Sequence, residues 1–163
     1  MEQKRLNEAL KICLEQCEKL GIHCGKIVSI SPARRGSKRW GVCKVRPYGY
    51  MIEVNRVLLE DDVSKAALLD TVMHEVLHTC KDCCNHGVVW KSYVTMVNRA
   101  YGYNIKRTTS AEEKGIEVEA VAAKYRFQCA KCGAIIGRAR ESAFTRNPDN
   151  YRCARCKGKF IRL

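Results

Sequence analysis

Apolar residues recur every three or four positions between residues 3 and 20, which is the period of an amphipathic helix. The positions that share this face are Leu6, Leu10, Cys13, Cys17 and Leu20. Gly21 follows, where helices commonly end. The helical period returns after Asp62 and Ser64, two residues suited to cap a helix, and again after Gly87 as far as about Ala100. The pattern therefore predicts three helices.

Three segments between the first two predicted helices alternate apolar and polar residues, which is typical of half-buried strands. They are residues 26–31, 40–45 and 50–55, and turns containing Pro and Gly separate them. Three strands joined in this way predict a small antiparallel sheet covered by the helices, and hence an α+β core.

The second predicted helix contains H-E-V-L-H at residues 74–78. Residues four apart lie on one face of a helix, so His74 and His78 can bind one zinc ion. Glu75 lies one step round the helix, where its carboxylate can reach a water molecule and act as a general base. This arrangement is typical of zinc peptidases, in which an edge strand holds the substrate backbone by strand addition. The alternative is a pair of surface histidines without a metal.

A catalytic zinc site needs a third protein ligand and one open position. His86 is the best candidate, because the seven residues after His78 allow the helix to end and the chain to turn back. Asp82 and Cys83 are nearer in sequence and stay open as alternatives. Four further carboxylates lie downstream in a polar segment: Glu112, Glu113, Glu117 and Glu119.

Four of the eleven cysteines form two C-x-x-C pairs separated by twenty residues. The pairs are Cys129 with Cys132 and Cys153 with Cys156. Four thiolates close a tetrahedral zinc site with no open position, so these pairs predict a structural zinc ion in a small β ribbon. The aromatic residues around the pairs are expected to form the core of that ribbon.

The net charge of +13 is concentrated near the C-terminus. Residues 124–163 contain eleven Lys and Arg against two acidic residues, a net charge of +9. Such a basic segment suits binding to a phosphate backbone, so we expect DNA as a partner; a solubilising surface is the alternative. The candidate contacts are Arg138, Arg140, Arg152 and Arg155 in the ribbon and Arg34, Arg35, Lys38 and Arg39 in the loop after the first strand.

An apolar content of 46% is ordinary for a globular protein, and no apolar run is long enough to span a membrane. The first residues lack the apolar segment of a signal peptide. Many cysteines in such a chain favour metal thiolates over disulfides. We therefore expect a cytoplasmic protein without membrane contact, associated with the nucleoid if the organism is a bacterium.

The motif H-E-V-L-H followed by H-G-V-V-W-K resembles the SprT-like or Spartan metalloprotease family. Residues 41–55 and 58–59 are similar to the segment before the catalytic helix in that family, and the C-x-x-C pairs are similar to the zinc ribbon of its bacterial members. The resemblance covers most of residues 5–163. The loop containing Cys80, Cys83 and Cys84 departs from it, since the loop is shorter and richer in cysteine than is usual.

The resemblance implies a zincin-like metalloprotease core followed by a small β zinc ribbon. It implies that His74, His78 and His86 bind a catalytic zinc ion with Glu75 as the base, in addition to the structural zinc ion. It also implies cleavage of DNA-bound or DNA-crosslinked proteins. We expect the core at residues 1–105, a connecting segment at 106–123 and the basic ribbon at 124–163.

Two other functions fit the same residues. One is a nucleic-acid-binding zinc protein whose first metal site is inactive or structural, with a thiolate of Cys80, Cys83 or Cys84 in the open position. The other is a peptidase that acts on a specific protein partner without DNA.

Overall fold

The computed structural model describes residues 1–116 and 123–163, and the chain divides into two compact units, Met1–Glu117 and Val118–Leu163. The first unit combines helices with a three-stranded sheet, and the second contains a small sheet of its own. These elements confirm the predicted α+β class. Within the two described ranges, no helix has the length and hydropathy needed to cross a bilayer.

Three long helices of the first unit lie where the apolar period predicts them. They are α1 (Glu2–Lys19), α2 (Lys65–Leu77) and α3 (Val88–Tyr101). Helix α2 begins after Ser64, whose hydroxyl oxygen accepts a hydrogen bond from the backbone N–H of Ala67 at 3.2 Å. It packs against α1, α3 and the sheet, and its side chains Val72, Met73, Val76 and Leu77 are fully buried. The helix that contains the histidine motif is therefore the central element of the core.

The sheet of the first unit is mixed, which corrects the prediction of an antiparallel sheet. Its strands are β1 (Ile27–Pro32), β2 (Gly41–Arg46) and β3 (Gly49–Val54), in the order β1-β3-β2. Strands β2 and β3 form the expected antiparallel hairpin, but β1 pairs in parallel with β3. The reason is that residues 33–40 cross the end of β3 and place β2 on its far side. Strand β2 is consequently an edge strand.

Asn55 fixes this crossing loop. Its side-chain amide donates hydrogen bonds to the carbonyl oxygens of Ser37 at 3.0 Å and Arg39 at 3.1 Å. Its backbone N–H donates to the carbonyl oxygen of Trp40 at 2.8 Å. These bonds set where β2 begins, directly beside α2.

Residues 106–116, the described part of the predicted connecting segment, lie within the first unit. Ile105 and Lys114 are buried in it. The indole N–H of Trp40 donates to the carbonyl oxygen of Thr109 at 3.0 Å. Residues 106–116 thus contact Trp40, at the start of β2, and Thr71 of α2.

The second unit is a small antiparallel sheet with a short helix. Its elements are β4 (Tyr125–Cys129), β5 (Ile135–Arg138), α4 (Ala143–Arg146) and β6 (Phe160–Arg162), and β4 is the central strand. Phe127 and Phe160 are buried, and the ring of Phe144 lies 4.7 Å and 5.3 Å from theirs. The prediction that aromatic residues form the ribbon core is confirmed.

Candidate metal centre and its surroundings

Three histidine side chains converge at the end of α2. The Nε2 atoms are 3.3 Å apart in His74 and His78, 3.2 Å in His78 and His86, and 3.0 Å in His86 and His74. Four ligands placed tetrahedrally around zinc at roughly 2.0–2.1 Å have neighbouring nitrogens about 3.3 Å apart. The group therefore fits a zinc ion bound by three imidazoles. His86 lies in the loop between α2 and α3, as the spacing after His78 suggested.

Neighbouring groups orient these imidazoles. The Nδ1 atom of His78 lies 2.7 Å from the carbonyl oxygen of Cys83, so Nδ1–H donates and the lone pair of Nε2 is free for a metal. The buried indole of Trp90 stacks on His78 at 5.5 Å and meets the edge of His86 at 4.5 Å. These contacts hold the rings before any ion binds.

Burial favours the neutral form of His74 and His86. It lowers the pKa of His74 to about 3, and the neighbouring His78 and His86 lower it further. Burial also lowers the pKa of His86. Zinc binds the neutral imidazole, so the lowered pKa values of His74 and His86 reduce the competition of protons with a metal at these two ligands.

Glu75 lies between the histidines and strand β2. Its side chain is buried, and burial raises its pKa to about 7. A hydrogen bond from the backbone N–H of Cys43 and the positive charge of Arg39 both lower this pKa, but by less than burial raises it. Gly41 faces the carboxylate: a Cβ atom there would lie 2.6 Å from Oε1. Only glycine leaves that space, so strand β2 fixes the position of this acid.

The other candidate ligands do not join the histidines. Within the described ranges, the ligand atoms grouped at this site come only from the three histidines. Asp82 and Cys83 are outside the group, and Glu113 instead forms an ion pair with Lys106 at 2.6 Å. Glu112 is exposed. Glu117 and Glu119 lie outside the described residues.

The cysteines of the loop after α2 face different environments. Cys80 and Cys83 are buried in the core, and the thiol of Cys80 contacts Cys24 with their sulfur atoms 3.9 Å apart. Cys84 is exposed. Their thiols take no part in the described histidine group, so the geometry gives no support to a site closed by one of them.

A cleft of about 850 Å³ opens over the histidines, and a second cavity of about 300 Å³ adjoins it. Both are lined by Arg39, Gly41, His74, Glu75, Arg107 and Thr108. The smaller cavity is also lined by Lys38, Trp40, Asp70, Lys106 and Lys114. Sequence reasoning missed Trp40, Asp70 and the three basic residues after α3 as parts of this region. The adjacent basic residues Lys106 and Arg107 were the one sequence feature that could have pointed to this region.

The four ribbon cysteines also converge. The sulfur atoms of Cys129 and Cys156 are 3.4 Å apart and those of Cys132 and Cys153 are 3.7 Å apart. Tetrahedral zinc thiolates, with Zn–S of about 2.3 Å, place neighbouring sulfurs about 3.8 Å apart. The group therefore fits zinc.

The two cysteine pairs have the same local structure. The backbone N–H four residues after the first cysteine bonds back to that cysteine's carbonyl oxygen, at 2.9 Å for Cys129 and 2.8 Å for Cys153. Backbone N–H groups of Cys132 and Lys131 lower the pKa of Cys129 to about 6, and equivalent donors lower that of Cys153. At Gly158 a Cβ atom would lie 2.8 Å from the sulfur of Cys129, so glycine is needed there. The backbone donors of the two turns therefore favour a thiolate at Cys129 and at Cys153.

The eight predicted DNA contacts are all exposed. In the loop between β1 and β2, Lys38 and Arg39 line the cavity beside Glu75, whereas Arg34 and Arg35 line a separate depression. The guanidinium of Arg138 lies over the ring of Phe144 at 5.6 Å, on the exposed side of the ribbon core. Arg140 and Arg155 are exposed on the ribbon surface, and the exposed Arg152 donates hydrogen bonds to the carbonyl oxygens of Asp149 at 2.6 Å and Tyr151 at 2.9 Å.

Comparison with known proteins gave one family. The model of the SprT-like family matches residues 12–110, which is more than half of the chain. No match was found among the curated proteins. The matched segment contains all three histidines and Glu75, and it ends before the ribbon.

Proposed function

The chain belongs to the SprT-like family, as the resemblance of its motifs indicated, and from this membership we propose that it is a zinc-dependent endopeptidase that cleaves proteins bound or crosslinked to DNA. The family and the histidine group support the coarser statement that the function is of the zinc metalloprotease type. The observation on which the proposal rests is the convergence of three Nε2 atoms within 3.0–3.3 Å of one another, next to a buried glutamate.

His74, His78 and His86 are the residues that would hold the catalytic zinc ion. When bound there, zinc would polarise a peptide carbonyl and lower the pKa of a water molecule. Three protein ligands leave a position open for that chemistry, in contrast to the four thiolates of the ribbon. A structural role for the second site follows from its closed ligand set.

Glu75 acts as the base in this proposal. Its carboxylate accepts a proton from the attacking water and then donates that proton to the leaving amine nitrogen. The hydrogen bond from the N–H of Cys43 and the close packing against Gly41 hold the carboxylate on the side of the cleft. Its raised pKa suits a group that must both take up and release a proton near neutral pH.

The substrate backbone is proposed to lie along β2. This strand is an edge of its sheet, and Gly41, Val42, Cys43 and Val45 line the cleft over the histidines. An extended peptide can pair with such an edge through main-chain hydrogen bonds, which select for unfolded segments rather than for a sequence.

The positive charge supports DNA as the partner that selects substrates. The ribbon arginines are exposed, and Lys38, Arg39, Lys106 and Arg107 surround the cleft region. Backbone phosphates bound by such residues would bring DNA-bound proteins to the active site. The interaction should weaken steeply as the salt concentration rises.

The experiment that tests this function is cleavage of a basic DNA-binding protein by the zinc-loaded chain, with single-stranded DNA, double-stranded DNA or no DNA. We expect cutting that depends on zinc and on DNA. An unfolded protein of near-neutral charge that does not bind DNA serves as the control substrate and should be cut far more slowly.

Two other results would each support a different function. Cutting that neither DNA nor salt affects would point to a peptidase with a dedicated protein partner. DNA binding without any cutting, in a protein with both metal sites filled, would favour the nucleic-acid-binding zinc protein.

Substituting Gly41 by alanine tests the placement of the base. The added methyl would lie 2.6 Å from both Cγ and Oε1 of Glu75, so the carboxylate must move away from its present position. We expect the cleavage rate to fall by about 10–100-fold, because small misplacements of a catalytic group are costly. The zinc content and the thermal midpoint of the variant are measured alongside. An unchanged cleavage rate would contradict the inference that β2 fixes the position of the Glu75 carboxylate.

A further inference from the structure

Lys114 is a buried cation that has no ion-pair partner among the residues that the structure describes. Its side chain lies in the first unit at 7% exposure. Nζ donates hydrogen bonds to Oγ1 of Thr71 at 2.7 Å and to the carbonyl oxygen of Ala67 at 3.4 Å, both neutral acceptors. None of the ion pairs found among residues 1–116 involves it. A buried charge left in this state costs free energy, and such groups are enriched at functional sites.

The ammonium faces a cavity rather than a filled core. Lys114 lines the 300 Å³ cavity that adjoins the metal cleft, and Trp40 and Asp70 are among its other walls. The ring centroid of Trp40 is 6.0 Å from Nζ. An ammonium group has three N–H donors, and the two bonds to Thr71 and Ala67 use two of them. The third can serve a group that enters the cavity.

The charge around this cavity is strongly positive. Its basic lining residues are Lys38, Arg39, Lys106, Arg107 and Lys114, and its acidic ones are Asp70 and Glu75. Asp70 accepts a hydrogen bond from the backbone N–H of Asn104 at 3.1 Å. Burial lowers the pKa of Lys114, and the charges of Asp70 and Glu113 oppose that shift without cancelling it. The cavity would therefore favour an anionic occupant over a cationic one.

The cavity shares wall residues with the cleft in which a peptide bond would be cut. Its walls include His74 and Glu75, which also line the cleft over the histidines. It lies at the start of β2, since Trp40 and Gly41 line it too. A peptide paired along β2 would direct a side chain next to the scissile bond into this space.

We propose that this cavity is a specificity subsite that accepts an acidic side chain flanking the scissile bond, and that Lys114 is the residue that selects it. The inference rests on the proposed peptidase function. A Glu or Asp carboxylate in the cavity would accept a hydrogen bond from the third N–H of Lys114 and bring a negative charge to its ammonium group. A Lys or Arg side chain would meet the existing positive charge and be disfavoured.

The alternative is that Lys114 only anchors the segment 106–116 to α2. Its two hydrogen bonds to that helix would then be its whole contribution. In that case substitution would lower stability and the cleavage of every substrate to a similar degree. The ratio of rates between two substrates separates the alternatives, because an anchor does not distinguish them.

The test compares matched peptides that differ at one position. A library of synthetic peptides, supplied with the DNA that supports activity, first locates the scissile bonds by mass spectrometry. One good substrate is then made with Glu, Gln or Lys at each of the two positions that flank the cut bond. For wild type we expect kcat/KM to be roughly tenfold or more higher with Glu than with the isosteric Gln at one of these positions. Lys there should be the poorest.

Lys114→Met should reduce the Glu-to-Gln ratio to about one, and Lys114→Arg should retain a ratio above one because the charge is kept. Lys11→Met makes the same chemical change on the exposed surface of α1 and should show the wild-type ratio. Thermal midpoints of all three variants are recorded. If Lys114→Met fails to fold, the wild-type comparison still decides the question.

A wild-type enzyme that cuts Glu, Gln and Lys peptides equally would overturn the subsite, and so would an unchanged Glu-to-Gln ratio in folded Lys114→Met. Failure to cut any peptide or protein would instead count against the peptidase function itself. The two failures are therefore distinguishable.

Discussion

Glu75→Gln is expected to lower the cleavage rate by about 10²–10⁴-fold, the usual contribution of a general acid–base group. Glutamine has the size and shape of glutamate, and its side-chain oxygen can still accept the hydrogen bond from the N–H of Cys43. It cannot take a proton from the attacking water or deliver one to the leaving amine. The three histidine ligands are unaltered, so zinc should bind as in wild type. Single-turnover cleavage and metal analysis of the same preparation measure both quantities.

The matched control is Glu8→Gln, which makes the same change on the exposed surface of α1. It should cleave at the wild-type rate and contain the same amount of zinc. Cleavage by Glu75→Gln at the wild-type rate would show that Glu75 is not the general base. Loss of zinc from Glu75→Gln would show that the buried carboxylate supports the metal site rather than the proton transfers.

The histidine group could be anticipated because its spacing is local. A spacing of four residues places His74 and His78 on one face of a helix, independently of the tertiary structure. The position of His86 required one further inference, that a loop of seven residues can return to the helix end. The two cysteine pairs are a similar case, since each pair is a short turn with its own hydrogen bonds.

The pairing of the strands could not be obtained in this way. Alternation of apolar and polar residues predicts where β1, β2 and β3 lie, but it contains no information about which strands are neighbours. The parallel pair of β1 and β3 depends on a loop that crosses the end of β3 and on its attachment to Asn55. That arrangement makes β2 the edge strand beside Glu75.

Lys114 shows a second limit of sequence reasoning. It lies in a polar segment, between Glu113 and Gly115, where a lysine is expected to be solvated. Its burial results from the packing of residues 106–116 against Thr71 and Trp40, which are distant in sequence. Tertiary contacts of this kind leave no periodic signal in the segment itself.

Removing zinc from the ribbon is expected to unfold residues 123–163 while the first unit stays folded. The buried cluster described there consists of Phe127, Cys129, Cys153 and Phe160, so two of its four members are candidate metal ligands. So small a core does not offset the chain entropy of its segment without a metal. Structural zinc contributes about 10–16 kcal/mol of apparent binding free energy in comparable small domains, and this energy is available only to the folded ribbon.

Cys153→Ser tests this dependence without a chelator, which would also strip the histidine site. The variant loses one thiolate and should bind about one zinc ion fewer per chain, because three thiolates hold a structural zinc far more weakly than four. In a ¹H–¹⁵N spectrum the amide signals of the ribbon should collapse into the unfolded region, while those of α1, α2 and α3 keep their positions. Cys84→Ser is the matched control, since Cys84 is exposed and lies outside both ligand groups. Dispersed ribbon signals in Cys153→Ser would mean that the aromatic contacts around Phe144 hold the ribbon together without the metal.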